Sequence, residues 1–346
     1  MISDRNMAVL RAIIEDFIAT SEPVGSKTLV ERHNFGVSSA TIRNDMAVLE
    51  EEGYIAAPHT SSGRVPTDKG YRAFVDQLIQ SQAVTADIQK NFTELNQLFS
   101  KTLDQLTDLD ERLHTSAQLL AKATGEAAVV QYPNLKSIAI RSVEFIKVAD
   151  HRVLILLITN VERIAQHVVV LPSDINTDEL DILKAKFNAV CAGIAVEAVT
   201  EKLEDILDEV QPSQVANVQV LIDGLKLVID VNRNDKVAFA GTSNLVRSEE
   251  QFAGGLSSLL EAFDDESDIW QVLNLWKLEA EKPRVIIGSE NSVFELSKSS
   301  LLLSSYSNHG TEVAKVAVVG PTRMNYSRNL AAVLALSKLL SKDQED

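Results

Sequence analysis

The chain of 346 residues has very little cysteine and no long apolar run. Its only cysteine, Cys191, excludes a disulfide framework within one chain and any metal site built from several cysteines. Charged residues occur throughout Met1 to Thr20, unlike a secretory signal, and no segment reaches the ~20 apolar residues that a membrane helix needs. We therefore expect a cytoplasmic protein that does not span a membrane.

The sequence also lacks the motifs that mark common active sites. It contains no G-x-x-x-x-G-K-[ST] phosphate loop and no G-x-G-x-x-G dinucleotide motif, and none of the six histidines forms an H-x-x-x-H or H-E-x-x-H pair. We therefore expect no enzymatic activity, no cofactor and no metal. The turn Gly320-Pro321-Thr322-Arg323 could bind an anion, or could simply lead into the last helix.

Positive charge is scarce as well. The chain has 33 Lys and Arg against 49 Asp and Glu, a net charge of -16, and residues 1–80 alone are net -3. This balance argues against a general binder of polyanions. A local excess nevertheless occurs between His59 and Arg72, where Arg64, Lys69 and Arg72 outnumber Asp68. Any DNA binding should therefore be weak on non-specific DNA and should depend on directed contacts.

The clearest structural pattern lies in residues 1–80. Apolar spacing predicts one helix near residues 4–20 and a second that ends near Gly36. Ser38 can cap a third helix, in which Ile42, Met46 and Leu49 recur at helical spacing and face inward. Two helices joined by a short connection that contains glycine are typical of a helix-turn-helix, with the second helix as the reader.

The opposite face of the third helix and the segment after it suggest a DNA contact. Arg43 and Asn44 lie on that face, and residues 54–72 predict a hairpin with a basic end and a Ser61-Ser62-Gly63 tip. Together these features predict a winged helix-turn-helix, although the charged residues could also form a solvated surface. The predicted DNA-contacting residues are Ser38, Ser39, Thr41, Arg43, Asn44, Arg64, Lys69, Tyr71 and Arg72.

The remaining sequence alternates between helical and β-rich segments. With 45% hydrophobic residues, a chain of this length should form two or three domains. The simplest account is a multidomain α+β fold, in which one α+β domain is interrupted by an insertion of roughly 100 residues. The predicted divisions are a DNA-binding domain at 1–80, a helical linker at 81–125, the α+β domain at 126–172 and 281–346, and a mainly helical insertion at 173–280.

Three motifs resemble the bacterial HrcA family of heat-inducible transcription repressors. They are Ser38-Ser39-Ala40-Thr41-Ile42-Arg43-Asn44-Asp45-Met46, the longer Ser61-Ser62-Gly63-Arg64-Val65-Pro66-Thr67-Asp68-Lys69-Gly70-Tyr71-Arg72, and Gly320-Pro321-Thr322-Arg323-Met324. The resemblance implies a winged-helix domain, a GAF-like α+β domain and an inserted domain through which two chains dimerise. It also implies double-stranded DNA as a partner, through an inverted-repeat operator upstream of chaperonin and DnaK-type chaperone operons. The chaperonin would modulate the repressor, and heat would relieve repression.

A dimer is also what an inverted repeat requires. Two reader helices related by a dyad reach successive major-groove faces about 34 Å apart. The candidates for a shared surface are apolar residues of the insertion, Leu256, Leu259, Phe263, Trp270 and Trp276, which could equally form a private core. A sensor whose GAF-like domain binds a small molecule remains an alternative, and a domain filled by its own side chains would count against it.

Overall fold

A computed structural model of the chain has a mixed α+β fold, as the sequence predicts. No helix in the described parts of the chain is long and apolar enough to cross a membrane. The structure describes residues 2–59, 63–80, 82–133, 138–160, 164–231, 236–252, 255–261, 266–276, 278, 282–292, 296–308 and 311–342.

The N-terminal part, called the head below (residues 2–80), consists of four helices and a short hairpin. Ser3 caps the first helix through a hydrogen bond from the Asn6 N–H, and Val24 adds a bridge to Arg64 beside the hairpin. The two hairpin strands are antiparallel, with Ile55 opposite Pro66. In chain order the elements are α1 (Asp4–Thr20), α2 (Ser26–Arg32), α3 (Ser39–Glu51), β1 (Ile55–Ala56), β2 (Val65–Pro66) and α4 (Asp68–Gln80).

A five-stranded antiparallel sheet, the main sheet, forms the centre of the molecule. Its strands are β3 (Ala127–Gln131), β7 (Val237–Ala240), β8 (Arg284–Ile287), β9 (Ser299–Asn308) and β10 (Thr311–Pro321), in the spatial order β7-β3-β10-β9-β8. Every residue of β3 is buried, because helices cover both faces of the sheet. Such a strand reads as a continuous apolar run rather than an alternating one.

Two layers of helices cover the main sheet. One face packs against α5 (Gln82–Leu103), α6 (Leu109–Thr124) and α13 (Tyr326–Lys342), and this apolar core continues without a break into the head. The other face packs against α10 (Thr242–Arg247), α11 (Leu256–Glu261) and α12 (Glu266–Asn274). The predicted helical linker therefore packs on the main sheet instead of bridging two separate bodies.

A second sheet, the inserted sheet, lies between β3 and β7 in the chain. Its strands β4 (Ile140–Ala149), β5 (Arg152–Thr159) and β6 (Ile164–Val170) form an antiparallel meander. Helices α7 (Thr177–Cys191), α8 (Val196–Lys202) and α9 (Val215–Val231) cover one face of it. There Phe145 meets Phe187 edge to face, with the ring centroids 4.9 Å apart.

This grouping differs from the predicted divisions. The predicted division joins 126–172 with 281–346 and begins the insertion at 173. Among the described residues, however, β4, β5 and β6 form a sheet of their own and share a core with α7 to α9. The insertion therefore runs from about residue 138 to 231, and residues 237–274 return to the main sheet. Local patterns identify strands, whereas the choice of pairing partner is set by long-range packing.

The candidate dimer residues also lie elsewhere than expected. Leu256 and Leu259 are buried within the chain at 7% and 1% exposure, so they cannot form a shared surface in this fold. Trp276 packs against the same core, and the Arg284 guanidinium lies 4.8 Å from its ring centroid. Phe263 and the side chain of Trp270 lie outside the described residues. The three residues that can be placed, Leu256, Leu259 and Trp276, therefore pack in the core of the chain itself, which was the alternative to a shared surface.

Candidate nucleic-acid interface

The helix α3 begins as the sequence predicts. Ser38 has an extended backbone, and its Oγ accepts a hydrogen bond from the Thr41 N–H at 3.2 Å, which satisfies one of the free donors of the first turn. The three predicted inward residues, Ile42, Met46 and Leu49, are all buried. The helix therefore has a fixed start and a fixed inner face.

The outer face of α3 is open to solvent. Arg43 and Asn44 are exposed, as are Ala40, Ala47 and Val48, while Ser39 and Thr41 are half-exposed. Neither Arg43 nor Asn44 makes a side-chain hydrogen bond or ion pair with another described residue. Small residues beside an arginine and an amide suit close approach to base edges, which these two side-chain types read by paired hydrogen bonds.

Ion pairs to the rest of the head hold α3 in place. Arg5 of α1 donates two hydrogen bonds of 2.8 Å to the buried carboxylate of Asp45, and this paired geometry fixes direction as well as distance. At the other end of the helix, Arg64 lies 2.8 Å from Glu50. Neither contact involves Arg43 or Asn44. These ion pairs therefore fix the position of α3 and leave the side chains of its outer face available.

Arg64 and Lys69 lie beside the C-terminal end of α3. Lys69 donates to the Glu52 carbonyl oxygen at 2.6 Å, and its ammonium is 4.3 Å from the centroid of the Tyr54 ring. Both cations remain partly exposed, but Glu50 offsets the charge of Arg64. Ser61 and Ser62 of the predicted hairpin tip lie outside the described residues.

Tyr71 and Arg72 are placed differently from the other predicted DNA contacts. Tyr71 is only 3% exposed, and its ring lies 5.7 Å from that of Tyr326 in α13. Arg72 binds Glu290 and the Val285 carbonyl oxygen, next to the main sheet. The structure therefore places these two predicted DNA contacts against the main sheet, because α4 runs from the hairpin toward that sheet and carries both side chains there.

The turn from Gly320 to Arg323 is a structural connection at the same junction. The Thr322 carbonyl oxygen accepts a hydrogen bond from Tyr326, and the Arg323 guanidinium lies 5.7 Å from the ring of Phe17 in α1. Beside Gly320 lies Glu126, a buried carboxyl that sequence reasoning missed. Burial raises the pKa of Glu126 to about 7, although the positive charge of Arg323 opposes this shift.

Other sites for chemistry are sparse in the described parts of the chain. These parts contain no group of three or more His, Cys, Asp or Glu side chains that could hold a metal. Cys191 is buried, which raises the pKa of its thiol to about 12 and makes a reactive thiolate unfavourable. One apolar cavity between the main sheet and α12 has a volume of only about 10 Å³, far below that of a small-molecule site.

Comparisons with known proteins agree with the motifs. A family model described as the HrcA protein C terminal domain matches residues 110–330. The chain is 42% identical over 346 residues to the heat-inducible transcription repressor HrcA of Clavibacter michiganensis subsp. michiganensis, covering all of both chains. It is 39% identical over 342 residues to the protein of that name from Leifsonia xyli subsp. xyli, covering 99% of each.

One solved structure has a similar fold. It is a crystal structure of a hypothetical protein at 2.2 Å resolution, with a TM-score of 0.62 and 23% sequence identity. The alignment covers 99% of this chain and 98% of that chain.

Proposed function

Because the chain belongs to the HrcA family of heat-inducible transcription repressors, we propose that it represses heat-shock chaperone operons by binding an inverted-repeat operator as a homodimer. In this proposal the head is a winged helix-turn-helix, and the main sheet with its helices is the GAF-like domain. The observation that carries the proposal is the outer face of α3, on which Arg43 and Asn44 are exposed and uncommitted.

The proposed contacts follow from the geometry of α3. The helix lies in the major groove, where Arg43 can pair with a guanine and Asn44 with an adenine. Ser38, Ser39 and Thr41 lie at the N-terminal end of the helix, where its dipole and free N–H groups favour a phosphate. Arg64 and Lys69 approach the adjacent backbone from the hairpin side. The net charge of -3 in residues 1–80 keeps non-specific binding weak.

The proposed dimer forms through the inserted sheet. On the face of this sheet that α7 to α9 leave uncovered, Ile146, Leu154 and Val168 stand side by side across the three strands. Ile158 and Ile164 form a second apolar pair on the same face. Ile146, Ile164 and Val168 are 46%, 62% and 46% exposed. Between these two groups only Leu156 is apolar, with Glu144 and Gln166 on either side of it. An exposed apolar surface rimmed by polar residues marks a protein interface, and two copies can cover it for each other by the isologous contact typical of dimers.

The proposed response to heat rests on the resemblance to the family. We propose that a rise in temperature relieves repression and that the chaperonin modulates the activity of the repressor, as the resemblance implies.

Replacing Arg43 with Ala tests the reading face. If Arg43 contacts a base, the variant should lose ~1–3 kcal/mol of discrimination between the operator and a scrambled duplex, because a paired hydrogen bond to the correct base is lost. Fluorescence anisotropy titrations on both duplexes, with Asn44→Ala in parallel, measure this loss. Arg247→Ala, which removes an exposed arginine of α10, outside both α3 and the inserted sheet, is the matched control.

The two duplexes also separate the possible roles of Arg43. An equal loss of affinity on both would assign Arg43 to a phosphate. If neither Arg43→Ala nor Asn44→Ala changed binding to the operator, α3 would not be the reader.

A further inference from the structure

The motif Thr67-Asp68-Lys69-Gly70-Tyr71-Arg72 directs most of its side chains toward the body of the molecule, and the proposed DNA contact uses only Lys69. The body here means the main sheet with its helices. Asp68 and Arg72 lie one turn apart on α4 and face the turn Gly288 to Glu290 that follows β8. We propose that Asp68 and Arg72 form a clamp that fixes the orientation of the head on the body, and that they thereby determine which operator spacing a dimer accepts. This proposal rests on the proposed function.

The clamp has two complementary halves. Asp68 accepts hydrogen bonds from the Ser289 N–H at 3.0 Å and from the Ser289 hydroxyl at 2.8 Å. Arg72 donates from Nε to one carboxylate oxygen of Glu290 at 2.7 Å, and from Nη2 to the other oxygen. Asp68 of the head thus accepts hydrogen bonds from Ser289 of the body, while Arg72 of the head donates to Glu290 of the body. Two charge-assisted contacts in a fixed geometry specify one orientation.

The receiving turn is shaped for this contact. Gly288 has a φ of +48°, and a Cβ at this position would overlap the Asp68 carboxylate. Only glycine therefore allows both the backbone conformation and the close approach of α4. A Cβ on Gly70 would overlap the Tyr54 carbonyl oxygen. Glycine at this position therefore lets α4 pack closely against the rest of the head.

The clamp also covers the outer edge of β8. This strand is last in the order of the main sheet, and within the described residues it pairs only with β9. On its other side the Val285 carbonyl oxygen accepts from Arg72 at 2.7 Å, and the Ile287 N–H donates to Glu290 at 3.0 Å. Arg72 and Glu290 thus occupy backbone groups that an exposed edge strand would leave open.

An isolated ion pair of this exposure would contribute little, since the side chains of Arg72 and Glu290 are 28% and 35% exposed. Here the pair is supported by the backbone contact to Val285 and by the buried ring of Tyr71 against Tyr326. The outer face of α3 stays exposed while the clamp is closed. The clamp therefore does not block DNA and acts through orientation. In a dimer with both clamps closed, the two α3 helices are held at a fixed separation.

The first test needs no DNA. A cleft of about 410 Å³ beside the clamp is lined by Arg72, Glu290, Trp276 and Ile79. The chain has two tryptophans, so Trp270→Phe leaves Trp276 as the only tryptophan, which can be excited selectively over the tyrosines at the long-wavelength edge of its absorption. In that background Arg72→Ala should make Trp276 more accessible to iodide, and Arg141→Ala should leave it unchanged. The conservative variant Arg72→Lys, which keeps a positive donor for Glu290, should retain more of the protection than Arg72→Ala.

The second test measures affinity for operators whose half-sites are moved apart in steps of one base pair. The parent should bind one spacing much better than its neighbours, whereas Arg72→Ala should lose ~10-fold or more at the best spacing and show a flatter profile, because loosely held heads have a lower effective concentration. A purely structural role of Arg72 would lower affinity equally at every spacing.

Three outcomes would overturn the clamp. These are unchanged iodide access to Trp276 in Arg72→Ala, a spacing profile as steep as that of the parent, or tighter binding by the opened variant. If the parent itself ignored the operator, the proposed function would fail, and the iodide experiment would still decide whether the clamp holds the head.

Discussion

Val168→Asp is expected to convert the proposed dimer into monomers. Val168 lies on the edge strand β6, on the uncovered face of the inserted sheet, opposite Leu154 and in one row with Ile146. A carboxylate buried there by the partner chain would be costly even with Arg152 diagonally adjacent on β5, because its direct neighbours Leu154 and Ile146 are apolar and offer no hydrogen bond. We expect the dimer dissociation constant to rise by at least ~100-fold, which corresponds to ~3 kcal/mol. Sedimentation velocity over a range of protein concentrations measures the change.

Loss of the dimer should also weaken operator binding. Two linked heads gain ~100-fold to 10,000-fold in affinity over one head when both half-sites are engaged. Ile182→Asp is the matched control, since Ile182 is an equally apolar residue of α7 that is 59% exposed away from the proposed interface. A Val168→Asp protein that remained dimeric and folded would exclude the inserted sheet as the interface.

Glu126→Gln is expected to stabilise the protein at alkaline pH. The pKa of Glu126 is about 7 in the folded chain, above its ordinary value of 4.5. Between these two values the folded state retains a proton that the unfolded state releases, so the free energy of unfolding falls as the pH rises through this window. The loss is of order 3 kcal/mol once the pH exceeds 7. A glutamine cannot ionise and should not show this loss.

The measurement is urea unfolding of parent and variant at pH 5 and pH 8. The variant should gain ~1–3 kcal/mol relative to the parent at pH 8 and much less at pH 5. Glu261→Gln, which neutralises an exposed carboxylate on α11, should show no such difference. A parent and a Glu126→Gln variant with parallel pH dependence would mean that Glu126 is not the group responsible.

Local pattern in the sequence predicted the start and the inner face of α3. The helical spacing of Ile42, Met46 and Leu49 identified the inner face, and this assignment left Arg43 and Asn44 outside. Ser38 was recognisable as a cap because a serine before an amphipathic run has a defined local partner. The resemblance to the HrcA family, drawn from short motifs, is confirmed by full-length relatives.

Contacts between distant parts of the chain could not be predicted in the same way. Arg72 follows a basic hairpin and therefore suggested DNA, but its partner Glu290 is 218 residues away. Glu126 has no motif around it, and its burial results from the close packing of Gly320. The proposed dimer surface is visible in the sequence. Ile164, Val168 and Val170 are apolar at positions of β6 where a solvent-facing row should be polar.

The most direct test of the account is a binding comparison with the full chain. Anisotropy titrations would use three duplexes, namely the inverted repeat upstream of the chaperonin operon of the same genome, a single half-site, and a scrambled sequence. We expect two chains to bind the inverted repeat at least ~1,000-fold more tightly than the scrambled duplex at physiological salt, with the half-site between them. Equal affinity for all three duplexes would contradict the account.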